Sequence, residues 1–194
     1  MFYLERQKHS LTISNPAIMV IDVQSYFFHK NSKAYIRGSE RVLENIKNFV
    51  VQTKRYKIPI IATIHKGGSE QMKKWWGNIV DDEWAELMIE NSVIDYIVVK
   101  NTYDAFYNTE LFELLKLNNI DQLFITGVMT HLCCETTARS GFVNGFDIVM
   151  IEDCLWDKDE WYHYASLKNI AHGFGIISTS TEILEKLNSI KVSP

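Results

Sequence analysis

The chain holds three cysteines, and two of them stand side by side in Gly127–Ala138, "GVMTHLCCETTA". A thiolate is a strong nucleophile and a metal ligand, so the first question is which sulfur can carry charge. An odd number of cysteines with two adjacent cannot form the spaced pairs of a disulfide framework, and no CxxC pair suggests structural zinc. If a helix begins near His131, helical spacing sets Cys134 on a stripe with Ala138 and Phe142, facing inward. Cys133 then lies about 100° further around, in the first turn, where free backbone N–H groups and the positive end of the helix dipole favour an anion. Cys134 reads as packing and Cys133 as the reactive thiol.

A nucleophilic thiol needs a proton acceptor and a charge that favours its ionised form. Asp22, in "VIDVQ", and Lys100, in "VVKNTYDAF", supply these residue types. The ammonium would favour the thiolate, and the carboxylate would take the thiol proton and return it to a leaving group. Taken singly, each has a plainer reading: Asp22 as a cap, Lys100 as a solvated charge, either cysteine as a small core residue. What joins them is that each stands at the end of an apolar run.

Those runs are Ala17–Asp22, Ile58–Ile64, Ile94–Val99, Gln122–Gly127, Phe146–Ile151 and Gly175–Thr179. Short, β-branched and apolar on both faces, they read as strands buried between helix layers. Segments of helical spacing alternate with them: Glu40–Tyr56, with its stripe Val42, Leu43, Ile46, Phe49 and Val50, then Thr109–Leu117, His131–Asn144, Lys158–His172 and Ser180–Leu187. Alternation of this kind predicts an α/β fold, a doubly wound parallel sheet of about six strands with helices on both faces. Ligands bind such sheets beyond the carboxyl ends of the strands, where Asp22, Lys100 and Cys133 would gather. The connection from Lys66 to Ser92 is too long for a simple turn. Its aromatic stretch "KGGSEQMKKWWG" and its candidate helix "DDEWAELMIE" suit a substrate-closing or dimer-forming element, or a surface helix packed on the body.

At 194 residues with 46% apolar content, the chain suits one domain spanning 1–194. A net charge of −4 argues against nucleic acid, which demands clustered Lys and Arg, and favours a small neutral or anionic metabolite. The start carries Glu5, Arg6 and Lys8 in place of an apolar leader, and no run approaches the roughly 18 apolar residues of a membrane span. A soluble, cytoplasmic protein without a membrane partner is the expectation.

"DVQ" at Asp22–Gln24, "VVKNTYDAF" at Val98–Phe106 and "GVMTHLCCETTA" together resemble the isochorismatase-like cysteine hydrolases, a family that includes nicotinamidases and N-carbamoylsarcosine amidases. The similarity runs from about Asn15 to Leu187 and takes in "YHYASLKNIAHGFGIISTSTEIL". It implies strand order 3-2-1-4-5-6, a catalytic triad on Asp22, Lys100 and Cys133, and a cis peptide at Val128–Met129. It further implies an oxyanion held by the backbone N–H groups of Met129 and Cys133, and a homo-oligomer, dimer or tetramer. Gln24, Phe27, Trp76, Tyr103 and His131 are the candidate substrate-binding residues. Phe106 is a further candidate wall. For the aromatics, plain core packing is an equal alternative, and His131 could cap or pack.

Two departures sharpen the expected chemistry. Nicotinamidases of this family carry an Asp-x-His metal motif after the second strand, where this chain reads "TIHKGG", with His65 and Gly67 at those positions. One histidine is a weak metal site, so no metal and no cofactor are expected. Vinyl-ether-cleaving isochorismatases lack a thiol at the position of Cys133, so its presence favours acyl chemistry at a small-molecule C–N bond. The competing readings are vinyl-ether hydrolysis with Asp22 as acid, a nicotinamidase, and a non-catalytic binding or redox-sensing protein.

Overall fold

Six strands lie in one parallel sheet, in a computed structural model that describes residues 5–6, 8–77 and 82–191. In chain order the elements are β1 (Pro16–Ile21), α1 (Ser25–Phe28), α2 (Ser39–Thr53), β2 (Ile60–His65), α3 (Glu70–Trp76), β3 (Tyr96–Lys100), α4 (Leu111–Leu117), β4 (Gln122–Val128), α5 (Glu135–Val143), β5 (Asp147–Trp156), α6 (Glu160–Gly173), β6 (Ile176–Ser178) and α7 (Ser180–Lys191). The spatial order is β3-β2-β1-β4-β5-β6, as the resemblance implies. Among the described residues no helix is long and apolar enough to cross a membrane.

Side chains alternate across each strand, and this splits the core in two. On one face Ile18, Val20, Ile60, Ala62, Phe124 and Val149 pack under α2 and α7. On the other, Met19, Ile21, Ile61, Leu123, Ile125 and Met150 meet Leu111 and Leu115 of α4, Ala138 of α5, and Leu167 and Ile170 of α6. The α2 stripe is buried as its spacing predicts. Each large apolar side chain there contributes roughly 1.5–3 kcal/mol by leaving water.

Three expectations are corrected. The segment "DDEWAELMIE" is not a helix: its described part makes one tight turn, Asp82–Trp84, and then runs extended. The Ser25 N–H donates to the Glu86 carbonyl and the Met88 N–H to the Val23 carbonyl, both at 2.8 Å, so helical bonding loses to pairing with the chain after β1. Residues 78–81 of that connection lie outside the described residues. The second correction concerns β3, an edge strand buried on one face only, with Ile97 and Val99 44% and 52% exposed. The third concerns α5, whose inner stripe runs through Cys134, Thr137, Ala138 and Gly141, while Phe142 is half-exposed against Phe174. A Cβ at Gly141 would stand 2.9 Å from Ile148 Cδ1, so the small residue is what lets the helix approach the sheet.

Gly127 marks where β4 turns toward the site. Its φ is +114°, and the β4–β5 register shifts between Ile125 and Gly127. A Cβ there would lie 2.0 Å from the Ile21 carbonyl oxygen, a backbone atom that cannot retreat. Gly127→Ala is predicted to destabilise the protein by more than about 4 kcal/mol, read by denaturant unfolding. Burial also pushes the pKa of His163 from 6.5 to about 4, against a weaker pull from Asp157. The unfolded chain therefore takes up this proton first as pH falls, and stability is lost between about pH 6.5 and 4. A His163→Gln variant should show a shallower fall in melting temperature over that window.

Candidate active site

The carboxyl ends of the strands put the reactive residues on one rim. Sheet order reads across it as Lys100 ending β3, His65 ending β2, Asp22 just past β1, Cys133 beyond β4 and Asp157 just past β5. His65 and Lys100 are register partners on neighbouring parallel strands. Asp22 leaves β1 with φ of 51°, a left-handed conformation uncommon for a residue other than glycine. The Val128–Met129 peptide is cis, and Thr130–Cys134 forms a π-helical turn before α5. In that turn the Cys134 N–H reaches back to the Met129 carbonyl, 3.2 Å away. Single π turns inside helices recur at functional sites because they re-aim side chains.

The Lys100 ammonium has three hydrogens and finds three acceptors: Asp22 Oδ2 at 2.6 Å, the Thr102 carbonyl at 3.0 Å and His65 Nδ1 at 3.3 Å. Asp22 is held on its other oxygen by Thr63, whose hydroxyl donates to Oδ1 at 2.6 Å while accepting the Asp22 N–H at 3.1 Å. Lys100, Asp22, Thr63 and His65 are all buried, and Thr102 is half-buried. Burial opposes the Lys100 charge, yet Asp22 and then Cys133 outweigh it and hold its pKa above the ordinary lysine value.

Cys133, only 4% exposed, lies against both members of this pair. Its pKa is the main correction to the sequence-based picture. Burial raises it above the ordinary thiol value, Lys100 pulls it down by less, and Asp22 raises it again. The neighbouring carboxylate offsets the attraction of the ammonium, and low dielectric penalises a third charge. Cys134 is fully buried in the core with its pKa raised well above normal, first by burial, as expected of a packing residue.

The remaining candidates separate. Gln24, expected against substrate, is turned to the backbone: its Nε2 donates to the carbonyls of His65 (3.0 Å) and Ala85 (3.2 Å), and its Oε1 accepts the His65 N–H (2.8 Å). It braces the end of β2. Phe27, expected as a pocket wall, is buried in the α2-side core, edge-on to Tyr26. The parity of α1 around the sheet edge was not readable from one aromatic residue. Phe106 likewise stacks on Phe146. Trp76 and Tyr103 do meet, indole N–H to phenolic oxygen at 2.5 Å, tying the end of α3 to the loop after β3.

His131 is brought to Asp157, a residue sequence reasoning passed over. The buried carboxylate lies 2.6 Å from His131 Nδ1 and accepts the His131 N–H at 2.9 Å, while Tyr162 stacks on the ring at 4.3 Å. Asp157 and Thr63 were missed for different reasons. β5 runs five residues past its expected end at Ile151 to Trp156, which hid the strand-end position of Asp157. Thr63 sits inside an apolar run that carries no signal of its own.

A metal ion does not suit this set. One ligand atom each from Asp22, His65 and Cys133 falls within 4.8 Å of the others. The Lys100 ammonium, however, already occupies the cation position between Asp22 and His65, and Gly67 brings no ligand atom. A divalent ion would meet a fixed positive charge and a thiol whose pKa burial raises.

Comparison with known proteins identifies the family and the fold. The model of the isochorismatase domain matches residues 16–182. Nicotinamidase 3 of Arabidopsis thaliana is 31% identical over 184 residues, covering 89% of each chain. Enterobactin synthase component B of Escherichia coli (strain K12) is 28% identical over 180 residues, which are 87% of this chain and 62% of that protein. A solved cysteine hydrolase from Pseudomonas syringae pv. phaseolicola 1448A has the same fold, with a TM-score of 0.86 at 21% identity, covering 93% of this chain and 96% of that one. With the matched domain spanning most of its length, the chain belongs to the isochorismatase family of hydrolases.

Proposed function

We propose that this hydrolase cleaves a small-molecule amide or N-carbamoyl C–N bond through a thioester on Cys133, without a metal. The observation that carries the reading is a buried thiol set against a buried Asp22–Lys100 pair. The relative named nicotinamidase 3 is consistent with C–N chemistry.

In the first half-reaction Cys133 Sγ attacks the carbonyl carbon while its proton passes to Asp22, so no free thiolate has to persist in a dry site. The oxyanion is received by the Met129 and Cys133 N–H groups, donors whose contribution is on the order of 10²-fold or more. As the tetrahedral species collapses, the C–N bond breaks and Asp22 hands its proton to the departing nitrogen. In the second half Asp22 takes a proton from water, the hydroxide attacks the thioester, and the C–S bond breaks. The sulfur then recovers its proton from Asp22. Lys100 remains an ammonium throughout, holding the carboxylate by a 2.6 Å hydrogen bond and balancing its charge. Thr63 fixes the other carboxylate oxygen, so Asp22 presents one defined edge.

Cys133→Ala is expected to reduce ammonia release from carboxamide and N-carbamoyl substrates to background, and the wild-type enzyme should show an acyl adduct on Cys133 by mass spectrometry. Ammonia release surviving in Cys133→Ala would refute the thioester. Asp22→Asn should lower kcat by about 10²-fold or more, and because it leaves the buried Lys100 ammonium without its counter-charge, unfolding measurements should show a loss of stability beside the loss of rate. Lys100→Met strands a buried carboxylate, and unfolding measurements should show a loss of about 3–5 kcal/mol.

A further inference from the structure

His65 takes no part in the steps above, yet it borders the reacting atoms. A ring nitrogen of His65 lies within 4.8 Å of both a carboxylate oxygen of Asp22 and the sulfur of Cys133. Its backbone is fixed from both sides by Gln24, so the ring has a preset place at the end of β2.

The tautomer follows from its neighbour. An ammonium only donates, so the Nδ1 that lies 3.3 Å from Lys100 Nζ must accept, and the ring proton must sit on Nε2. Turning the ring over would take the third acceptor away from Lys100. Burial, and then the Lys100 charge, push the His65 pKa down to about 4, so the ring is neutral near pH 7. The consequence is a buried Nε2–H donor with no hydrogen-bond partner among the described residues. Asp22 Oδ2 is 3.9 Å from the opposite nitrogen, and the Gly67 backbone pulls on the ring only weakly without normal hydrogen-bond geometry. A buried N–H group left without a normal hydrogen bond is costly and rare, and at an active site it marks a place that a ligand atom can take.

We propose that His65 is a substrate-recognition residue whose Nε2–H meets an uncharged hydrogen-bond acceptor on the substrate. The acceptor is a ring nitrogen or a second carbonyl oxygen within a few bonds of the carbon that Cys133 attacks. A cationic group there would face the Lys100 ammonium across the ring, and an N–H group would face another donor. This inference rests on Cys133 being the nucleophile, and it adds a substrate feature that the C–N hydrolase reading leaves open.

The test uses aldehydes, which need no turnover. The sulfur bonds to the aldehyde carbon and the S–H proton ends on its oxygen, giving a reversible thiohemiacetal with no other reactant. Benzaldehyde and the three pyridinecarbaldehyde isomers differ only by one ring acceptor and its place. Their affinities for the enzyme, read as protection of Cys133 from iodoacetamide, are divided by their affinities for a small thiol in solution. At least one pyridine isomer should then exceed benzaldehyde by about 10-fold or more. That advantage should persist in His65→Gln, which keeps an N–H donor, and shrink to within about threefold in His65→Leu.

A purely structural role would shift the melting temperature of both variants and leave the ratio unchanged. The proposal is overturned if no isomer exceeds benzaldehyde in the wild type, if the advantage survives in His65→Leu, or if no aldehyde adds to Cys133. Should His65→Leu not fold, the wild-type isomer series and His65→Gln still decide. Failure of the C–N hydrolase reading looks different: a His65-dependent aldehyde preference with no ammonia released from any carboxamide or N-carbamoyl compound.

Discussion

The rest of the site depends on a buried ion pair. Taking an ammonium and a carboxylate out of water costs several kcal/mol per ion, and their attraction repays this only when geometry is close and every remaining hydrogen bond is made. Here Lys100 and Asp22 meet at 2.6 Å, the other two ammonium hydrogens go to a backbone carbonyl and an imidazole nitrogen, and Thr63 serves the second carboxylate oxygen. Three neighbouring parallel strands must end side by side for this to happen. The sheet order and the β2–β3 register that pairs His65 with Lys100 are therefore conditions of the chemistry as much as of the fold.

The pair also governs how the thiol works. A lysine alone would lower the pKa of a neighbouring cysteine; here burial, and then the Asp22 carboxylate, push that of Cys133 the other way. In the proposed mechanism nucleophile and base act in one coupled movement, and Asp22 alternates between carboxylate and acid while Lys100 stays constant. The two flanking histidines are set in opposite senses by their partners. Lys100 forces the proton of His65 onto Nε2, while Asp157 engages His131 through Nδ1. One flank of the site offers a hydrogen-bond donor, and the other is anchored by a buried carboxylate.

Much of the fold was legible because long-period patterns survive local noise. The α2 stripe, the six apolar runs and their alternation with helices led to the parallel sheet, and strand ends pointed to Asp22, Lys100 and Cys133. What failed depended on contacts far along the chain. "DDEWAELMIE" has helical composition but pairs with the segment after β1, and Gln24 belongs to a site-like motif yet spends its amide on the backbone of β2. Phe27 could not be assigned to a face, because a single aromatic next to a strand end carries no periodicity.

The sequence by itself determined the fold class and the residue types available for acid–base chemistry, because strand and helix periodicities are local properties of the chain. Only the tertiary structure decided which way the ionisations lean. A pKa is set by burial and by charges that approach through folding, and for Cys133 burial outweighs the pull of Lys100, with Asp22 opposing that pull further.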